Sequence, residues 1–178
     1  MGKFNFILSK SPVTKKLPFP LIAKEGFVFE YSNYAYLVLS QIFEKINNHG
    51  GVFLIIDYAK SLDYGKNTLS FIYRHTHVSP FYCPGSTDIS SKPDFNLIKS
   101  LAIQTKCKAL GPFSQNYFLT KLGIEIRFEK LIEANPNLSS SLLASKKRLV
   151  DNEYMGDIFK VLIITNKNNK DLIFDNYA

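Results

Sequence analysis

Apolar residues in the first third of the chain recur at helical spacing and then run together. Between Asn33 and Asn47, the positions that repeat with the helical period are Leu39, Ile42, Phe43 and Ile46. Ser32 is a residue type that caps helix starts, and Gly50-Gly51 tolerates the left-handed backbone that ends a helix. Val52 to Ile56 follows without polar alternation, which is typical of a strand covered on both faces in a parallel sheet. This order of elements predicts half of a βαβ unit.

The same patterns predict helices and strands over much of the remaining chain. Asp94 and Ser114 precede helical patterns and can cap them, and Pro136 stops a third helix. The predicted helices run from Phe95 to about Thr105, from Ser114 to Gly123, from Ile124 to Ala134 and from Leu138 to Val150. The predicted strands are Phe4 to Leu8, Phe27 to Glu30, Lys106 to Leu110 and Phe159 to Thr165. Helices alternating with strands predict an α/β fold.

Residues 59–93 lack a sustained period and are rich in Tyr, His, Ser, Pro and Gly. We predict a long irregular loop over this segment. Loops of this length inside a compact domain are usually functional or poorly ordered. This stretch is therefore the first place to look for contacts with a substrate.

Composition and charge narrow the classes of partner and compartment. The net charge is +7, but the basic residues are spread along the chain, so we predict a solvated surface and no nucleic-acid partner. Cys83 and Cys107 are too few for a disulfide framework, which favours a reducing compartment. The longest apolar runs are too short to span a bilayer, and no signal peptide is apparent. The expected location is the cytoplasm, or the mitochondrial matrix if the source is eukaryotic.

A series of short motifs, taken in order, carries the most specific signal. The motifs are Gly50-Gly51-Val52-Phe53-Leu54-Ile55-Ile56-Asp57-Tyr58, Asn67-Thr68-Leu69, Arg74-His75, Pro84-Gly85-Ser86-Thr87-Asp88-Ile89, Asp94-Phe95, Gly111-Pro112-Phe113-Ser114-Gln115-Asn116-Tyr117-Phe118-Leu119, Leu122-Gly123-Ile124 and Met155-Gly156-Asp157-Ile158-Phe159-Lys160-Val161-Leu162. Together they resemble the C-terminal half of the MidA-like methyltransferase family, which includes the mitochondrial complex I assembly-factor arginine methyltransferases. The sequence departs from the family pattern at Ala59, where a glycine is common, and at Lys92-Pro93.

The resemblance implies a fold and an activity. The fold would be the C-terminal part of a Rossmann-like class I methyltransferase. The implied activity of full-length relatives is methyl transfer from S-adenosylmethionine to a protein arginine. On this basis residues 1–26 are expected to be an irregular lead-in, residues 27–165 the methyltransferase part and residues 166–178 a tail.

The cofactor side of such a fold has no counterpart in this sequence. A cofactor loop needs glycines so that the backbone can approach the ligand, but none of the nine glycines stands in a Gly-x-Gly. We therefore expect an incomplete fold that does not bind S-adenosylmethionine alone. The partner would be a separately encoded N-terminal half, with a protein as substrate. Two alternatives stay open: a non-catalytic protein-binding module, and an inactive remnant.

Two carboxylates are the candidate catalytic residues. Asp57 ends a predicted strand, and ligands of open α/β sheets gather outside the carboxyl ends of strands. A carboxylate there can bind a guanidinium group or accept its proton. The alternative is that Asp57 caps the following turn. Glu30 ends a shorter strand-like run and is the second candidate.

Five further residues are candidates for substrate binding. They are Tyr58, Arg74, His75, Asp88 and Gln115. Asp88 has the alternative of satisfying loop amides, and Gln115 that of capping a helix. His75 and His77 lack a third ligand in a metal-binding pattern, so we predict no metal site.

Overall fold

A computed structural model describes residues 5–7, 10, 25–26, 28–59, 67–169 and 174. The described helices are α1 (Asn33–His49), α2 (Phe95–Gln104), α3 (Gln115–Lys121), α4 (Ile124–Ala134), α5 (Ser139–Val150) and α6 (Met155–Ile158), with a 3-10 turn over Pro136–Leu138. The described strands are β1 (Val52–Tyr58), β2 (Ser70–Tyr73), β3 (Thr76–His77), β4 (Asp88–Ser90), β5 (Lys108–Ser114) and β6 (Phe159–Thr165). No helix among these residues is long and apolar enough to cross a membrane.

The chain forms two compact units. The hairpin unit consists of Met1–Tyr31 and Asp63–Lys92, and contains β2, β3 and β4. The sheet unit consists of Ser32–Leu62 and Pro93–Ala178, and contains the other described elements. The expected domain boundaries at residues 26 and 165 stay predictions.

The sheet unit is built on three strands in the order β1-β6-β5. β6 runs antiparallel to both neighbours, from Val52 opposite Thr165 at one end of β1 to Tyr58 opposite Phe159 at the other. A register irregularity lies between Leu110 and Phe113 of β5.

Apolar side chains cover both faces of β6. Leu162 and Ile164 belong to a core cluster with residues of α1 and α2, including Phe43 and Phe95. Alternate residues of β6 point to opposite faces, so Val161 and Ile163 join the second cluster, whose other members are Leu110, Phe118 and Phe174. All five residues from Val161 to Thr165 are buried. The continuous apolar run of β6 therefore corresponds to a strand buried on both faces.

The prediction that the strand from Val52 to Ile56 is covered on both faces in a parallel sheet is wrong. Val52, Leu54 and Ile56 are 51%, 42% and 48% exposed, while Phe53 and Ile55 between them are half-buried against the first cluster. The strand pairs with β6 antiparallel, rather than in a parallel ladder. Within the described residues β1 lies at the sheet edge, and elements cover it on one face only.

Side-chain caps fix the starts of three helices as predicted. The side chains of Ser32, Asp94 and Ser114 accept hydrogen bonds from backbone N–H groups three residues later, at 3.2, 2.9 and 3.2 Å. Each bond satisfies an amide that the helix leaves without an internal partner. α4 has the predicted bounds, and the short helix α6 was not predicted.

The hairpin unit corrects the prediction of an irregular loop over residues 59–93. β2 pairs antiparallel with β3 on one side and with β4 on the other. Arg74 and His75 form the two-residue turn between β2 and β3, with φ of 48° and 64°. Two positive φ values match the turn type that hairpins prefer, but Asn and Gly are its usual residues. Arg and His gave no sequence signal for this turn.

The described residues of two predicted strands near the start of the chain are not in strands. Residues 28–30 and 5–7 have no regular structure. Phe4, Leu8 and Phe27 lie outside the described residues, as do most of the expected lead-in over residues 1–26 and residues 170–173 and 175–178 of the expected tail. Phe174 is buried and stacks on Phe118, with ring centroids 5.2 Å apart.

Candidate functional site

Asp57 and Tyr58 end β1 at its carboxyl end. Both are half-buried, and the Asp57 Oδ1 accepts the backbone N–H of Tyr58 at 2.7 Å. The Tyr58 ring meets the Phe159 ring edge to face, with centroids 6.1 Å apart. The hydrogen bond matches the local capping role that was the alternative for Asp57. Half-burial and position at the strand end are what a guanidinium-binding carboxylate also needs.

Charged groups beside Asp57 are already partly paired. Lys160 lies opposite Asp57 in the β1–β6 register, but its Nζ donates to the Asp157 Oδ1 at 2.6 Å. Ala59, the next residue but one, is buried and donates its N–H to the Ile158 carbonyl at 2.9 Å. The end of β1 is thus held by backbone contacts with the α6–β6 junction.

The Glu30 carboxylate accepts hydrogen bonds from nearby residues of the hairpin unit. One carboxylate oxygen accepts the N–H groups of Thr68 at 2.8 Å and Leu69 at 3.0 Å. The other accepts the Thr68 hydroxyl. Glu30 therefore joins two segments of the hairpin unit that lie 38 residues apart in sequence.

Arg74 and His75 are exposed at the tip of the hairpin. The Arg74 guanidinium lies 5.3 Å from the centre of the Tyr73 ring, and the Tyr73 ring meets the Tyr82 ring edge to face at 5.3 Å. Non-glycine residues in left-handed conformation are uncommon and concentrate at functional sites. The geometry presents two nitrogen-rich side chains to solvent above an aromatic pair.

Asp88 and His77 flank Ile72 on one row of the small sheet. Ile72 lies opposite His77 of β3 and opposite Asp88 of β4, so the three side chains share a face. His77 Nδ1 lies 3.5 Å from the Ser70 hydroxyl, and both His77 and Asp88 are exposed. Among the described residues no group of three or more metal-ligating side chains comes together.

Gln115 lies inside the sheet unit. It is buried, and its Nε2 donates to the Leu149 carbonyl at 2.8 Å, which joins the start of α3 to the end of α5. The contact gives Gln115 a structural partner. A role in substrate binding stays a prediction.

Cys107 does not have the surroundings of a nucleophile. Cys107 is buried and its Sγ donates to the Phe43 carbonyl at 3.2 Å. Burial raises the pKa of the Cys107 thiol, mainly because the thiolate would lose its hydration. Cys83 is exposed in the loop before β4. A protonated, buried thiol is inert.

The candidate residues fall into two groups. Asp57, Tyr58 and Gln115 belong to the sheet unit, and Glu30, Arg74, His75 and Asp88 belong to the hairpin unit. Sequence reasoning missed Thr68 and Lys92 as contacts of the Glu30 group, although Thr68 stands inside one of the motifs. The available sequence signal was the pair Asn67-Thr68 just before β2, because both side chains can bind nearby backbone groups.

Comparison with known families decides the classification. The model of a family described as "Putative S-adenosyl-L-methionine-dependent methyltransferase" matches residues 3–113. The chain belongs to this family. The matched stretch contains every candidate site residue except Gln115.

Relatives in this family include arginine methyltransferases. Protein arginine methyltransferase NDUFAF7 of Rattus norvegicus, a mitochondrial protein, is 30% identical over 69% of this chain and 28% of the relative. The mitochondrial NDUFAF7 homolog of Drosophila melanogaster is 30% identical over 90% of this chain and 37% of the relative. The chain therefore spans between about a quarter and two fifths of the length of these two relatives.

Solved structures establish the fold. The crystal structure of an uncharacterised protein from Burkholderia thailandensis matches with a TM-score of 0.74 and 24% identity, over 88% of this chain and 43% of that chain. A second structure from the same organism, bound to S-adenosyl-homocysteine, matches with a TM-score of 0.73 and 24% identity. It covers 88% of this chain and 41% of that chain. The predicted Rossmann-like α/β methyltransferase fold is confirmed.

Proposed function

We propose that this chain forms the substrate-binding part of an S-adenosylmethionine-dependent protein arginine methyltransferase. The observation that carries the proposal is the family match over residues 3–113, which includes both candidate carboxylates and the exposed hairpin. The names of the NDUFAF7 relatives support arginine as the target. Relatives with mitochondrial names support the matrix as the location if the source is eukaryotic.

Asp57 is the group that we propose to bind the target guanidinium. It is half-buried at the carboxyl end of β1, where ligands of α/β sheets gather. Partial burial strengthens the attraction between a carboxylate and a guanidinium, because less water screens the pair. A carboxylate can hold two guanidinium N–H groups at once and so orient the nitrogen that reacts. Tyr58 would line the same place.

The glycines that the structure describes do not form an S-adenosylmethionine loop. A cofactor loop runs from a strand into a helix start. Gly50-Gly51 instead runs from the end of α1 into β1, Gly111 lies within β5, and Gly123 separates two helices. We therefore propose that a further segment of the fold provides the cofactor loop.

The exposed face of β1 favours the proposal that a further segment packs there. Val52, Leu54 and Ile56 form an exposed apolar strip on a strand whose one described ladder partner is β6. Exposed apolar strips on sheet edges favour added strands and aggregation. We propose that a part of the fold outside the region matched in the relatives covers this strip, and that a separately encoded N-terminal half supplies it.

Calorimetry with S-adenosyl-homocysteine tests the proposal. We expect no measurable binding to this chain alone, and restored binding when the complementary polypeptide from the same genome is added in trans or fused. Loss of several hydrogen bonds of about 0.5–1.5 kcal/mol each would move a micromolar site beyond the millimolar range. Tight binding by the chain alone would overturn the assignment of the cofactor site to a further segment.

Asp57→Asn in the completed protein tests the proposed role of the carboxylate. Methyl transfer to a synthetic peptide with one arginine should fall at least tenfold, while affinity for S-adenosyl-homocysteine changes less than threefold. Tyr154→Phe, which alters an exposed ring in the sheet unit, serves as the control. Equal losses of transfer and cofactor affinity would show that Asp57 is structural.

A non-catalytic protein-binding module is the second candidate. The exposed hairpin with Arg74 and His75 favours it, since such a surface needs no cofactor. This candidate would be supported if the completed protein binds S-adenosyl-homocysteine no better than the chain alone. An inactive remnant would in addition fail to bind the arginine peptide.

A further inference from the structure

The base of the hairpin unit is closed by side chains where the strand ladder stops. β2 and β4 pair from Ile72 opposite Asp88 to Ser70 opposite Ser90. Continuing this register by two residues places Thr68 opposite Lys92. The Lys92 N–H donates there to the Thr68 hydroxyl at 3.0 Å, rather than to a backbone carbonyl. One side chain thus extends the ladder beyond its last backbone pair.

The Thr68 hydroxyl joins three separate segments. A hydroxyl offers one donor and two acceptor sites. Here it donates to Glu30 and accepts from Lys92, while the Thr68 and Leu69 N–H groups donate to the same Glu30 carboxylate. Asn67 Oδ1 also accepts the Leu69 N–H, at 2.9 Å. We call Glu30, Thr68 and Lys92 with these bonds the latch.

The latch lies near places where the chain passes from one unit to the other. Glu30 is one residue before the end of the first segment of the hairpin unit, and Lys92 is the last residue of the second. Only three residues of β4 and two of β3 pair with β2, so the ladder is short. Short ladders open readily, and a small sheet needs additional contacts to hold its register. The latch supplies such contacts at the end opposite the Arg74-His75 turn.

We propose that Thr68 is a positioning residue that sets the register and orientation of the Arg74-His75 hairpin for substrate binding. The effect on substrate rests on the proposed function, whereas the effect on the hairpin does not. Charge-assisted bonds to a carboxylate are stronger than neutral ones, so a hydroxyl that is held by Glu30 can in turn hold Lys92. Removal of the hydroxyl breaks both of its bonds, so that Lys92 loses its contact with the latch, while the two backbone N–H bonds to Glu30 and the ladder bonds of β2 and β4 remain.

Hydrogen exchange on the chain itself tests the structural part. Thr68→Val should speed the exchange of the β2 and β4 amides about tenfold, which corresponds to about 1.4 kcal/mol of local opening. Thr68→Ser keeps the hydroxyl and should leave exchange near the wild-type rate. Thr120→Val, which removes a comparable exposed bond to Asn116 in the sheet unit, is the control. The proposal would be overturned if Thr68→Val exchanged at the wild-type rate, or if Thr68→Ser exchanged as fast as Thr68→Val.

Kinetics of the completed methyltransferase test the functional part. Thr68→Val should raise the KM for a synthetic arginine peptide at least fivefold, with kcat within twofold, and Thr68→Ser should restore KM. Arg74→Ala should raise KM as well, without altering hydrogen exchange at the base of the hairpin. If Arg74→Ala leaves KM unchanged, the proposed substrate role of the hairpin is wrong. If Arg74→Ala raises KM and Thr68→Val does not, the positioning role of Thr68 is wrong.

Discussion

At the scale of single residues, two side chains selected for their chemistry are bound to backbone. Glu30 was predicted to be catalytic and accepts three hydrogen bonds from Thr68 and Leu69. Gln115 was predicted to touch substrate and donates to the Leu149 carbonyl. A sequence shows which groups can bind a ligand, but the partners come from segments 38 and 34 residues away. Such distant partners cannot be inferred from local spacing.

Gly156 is a residue at which a single methyl group should disturb the fold. A Cβ there would lie 2.6 Å from the Val150 carbonyl carbon and 2.8 Å from the Asp151 oxygen. Both are backbone atoms, so no change of side-chain rotamer can relieve the clash. Gly156→Ala should therefore lower the free energy of unfolding by about 1–3 kcal/mol, as overpacking does.

Thermal unfolding measures the effect of Gly156→Ala. A loss of this size lowers Tm by roughly 3–10 °C in a chain of this length. Ser141→Ala, on the exposed side of α5, should change Tm by about 1 °C or less. A Tm for Gly156→Ala within 1 °C of the wild type would mean that the loop at residues 150–156 can relax.

At the scale of elements, helices could be predicted more fully than strands. Capping side chains at Ser32, Asp94 and Ser114 are local signals that act within three residues, and all three helices start where they indicate. The hairpin of β2 and β3 has no such signal, because its turn residues are Arg74 and His75. Its strands are also too short to show alternation.

The left-handed turn makes a prediction about His75. A non-glycine residue in this conformation costs about 1–2 kcal/mol, and glycine does not incur that cost. His75→Gly should slow hydrogen exchange in β2 and β3, with a gain of about 0.5–1 kcal/mol after the greater freedom of glycine in the unfolded chain is subtracted. The stabilised hairpin should nevertheless bind the arginine peptide less well if His75 contacts substrate.

Thr76→Gly is the matched control for the turn variant. Thr76 lies next in sequence but belongs to β3, where glycine weakens a strand. Its exchange should become faster, in contrast to His75→Gly. Faster exchange in both variants would show that the His75 side chain stabilises the turn despite its backbone.

At the scale of the whole molecule, sequence predicted the strands of the larger sheet but not which faces would be covered. β1 and β6 have similar apolar runs, yet β6 is buried on both faces and β1 on one. The apolar side chains of a strand show which faces it can bury. Whether a face is buried depends on the elements that pack against it. The proposed cover of β1 by a further part of the fold would account for this difference.

The exposed strip of β1 yields a prediction about association. Leu54→Lys should leave the Tm of this chain within about 2 °C, because the side chain is already exposed, and should reduce self-association. Ile55→Lys, one residue further and packed against the first core cluster, should unfold the chain. Sedimentation velocity and thermal unfolding measure both effects.

Comparison of Leu54→Lys with Ile55→Lys shows whether the exposed strip of β1 is a contact surface or part of the core. In the completed protein, Leu54→Lys should weaken binding of the complementary segment at least tenfold, because a charge would be buried at the contact. A Leu54→Lys chain that unfolds like Ile55→Lys would show that the strip belongs to the core of this chain. Undiminished association with the complementary segment would show that another surface joins the two parts.

The central position of β6 bears on the order in which the chain becomes structured during synthesis. Among the described strands, β1 and β5 do not pair with each other, and each pairs with β6. The Thr165 hydroxyl, at the end of β6, donates to the Gly51 carbonyl 114 residues earlier. At translation rates of about 5–20 residues per second, β1 waits several seconds on the ribosome for β6, its described partner strand. During that interval its apolar residues lack the cover that β6 and α2 later provide, and α1 is the described helix already made.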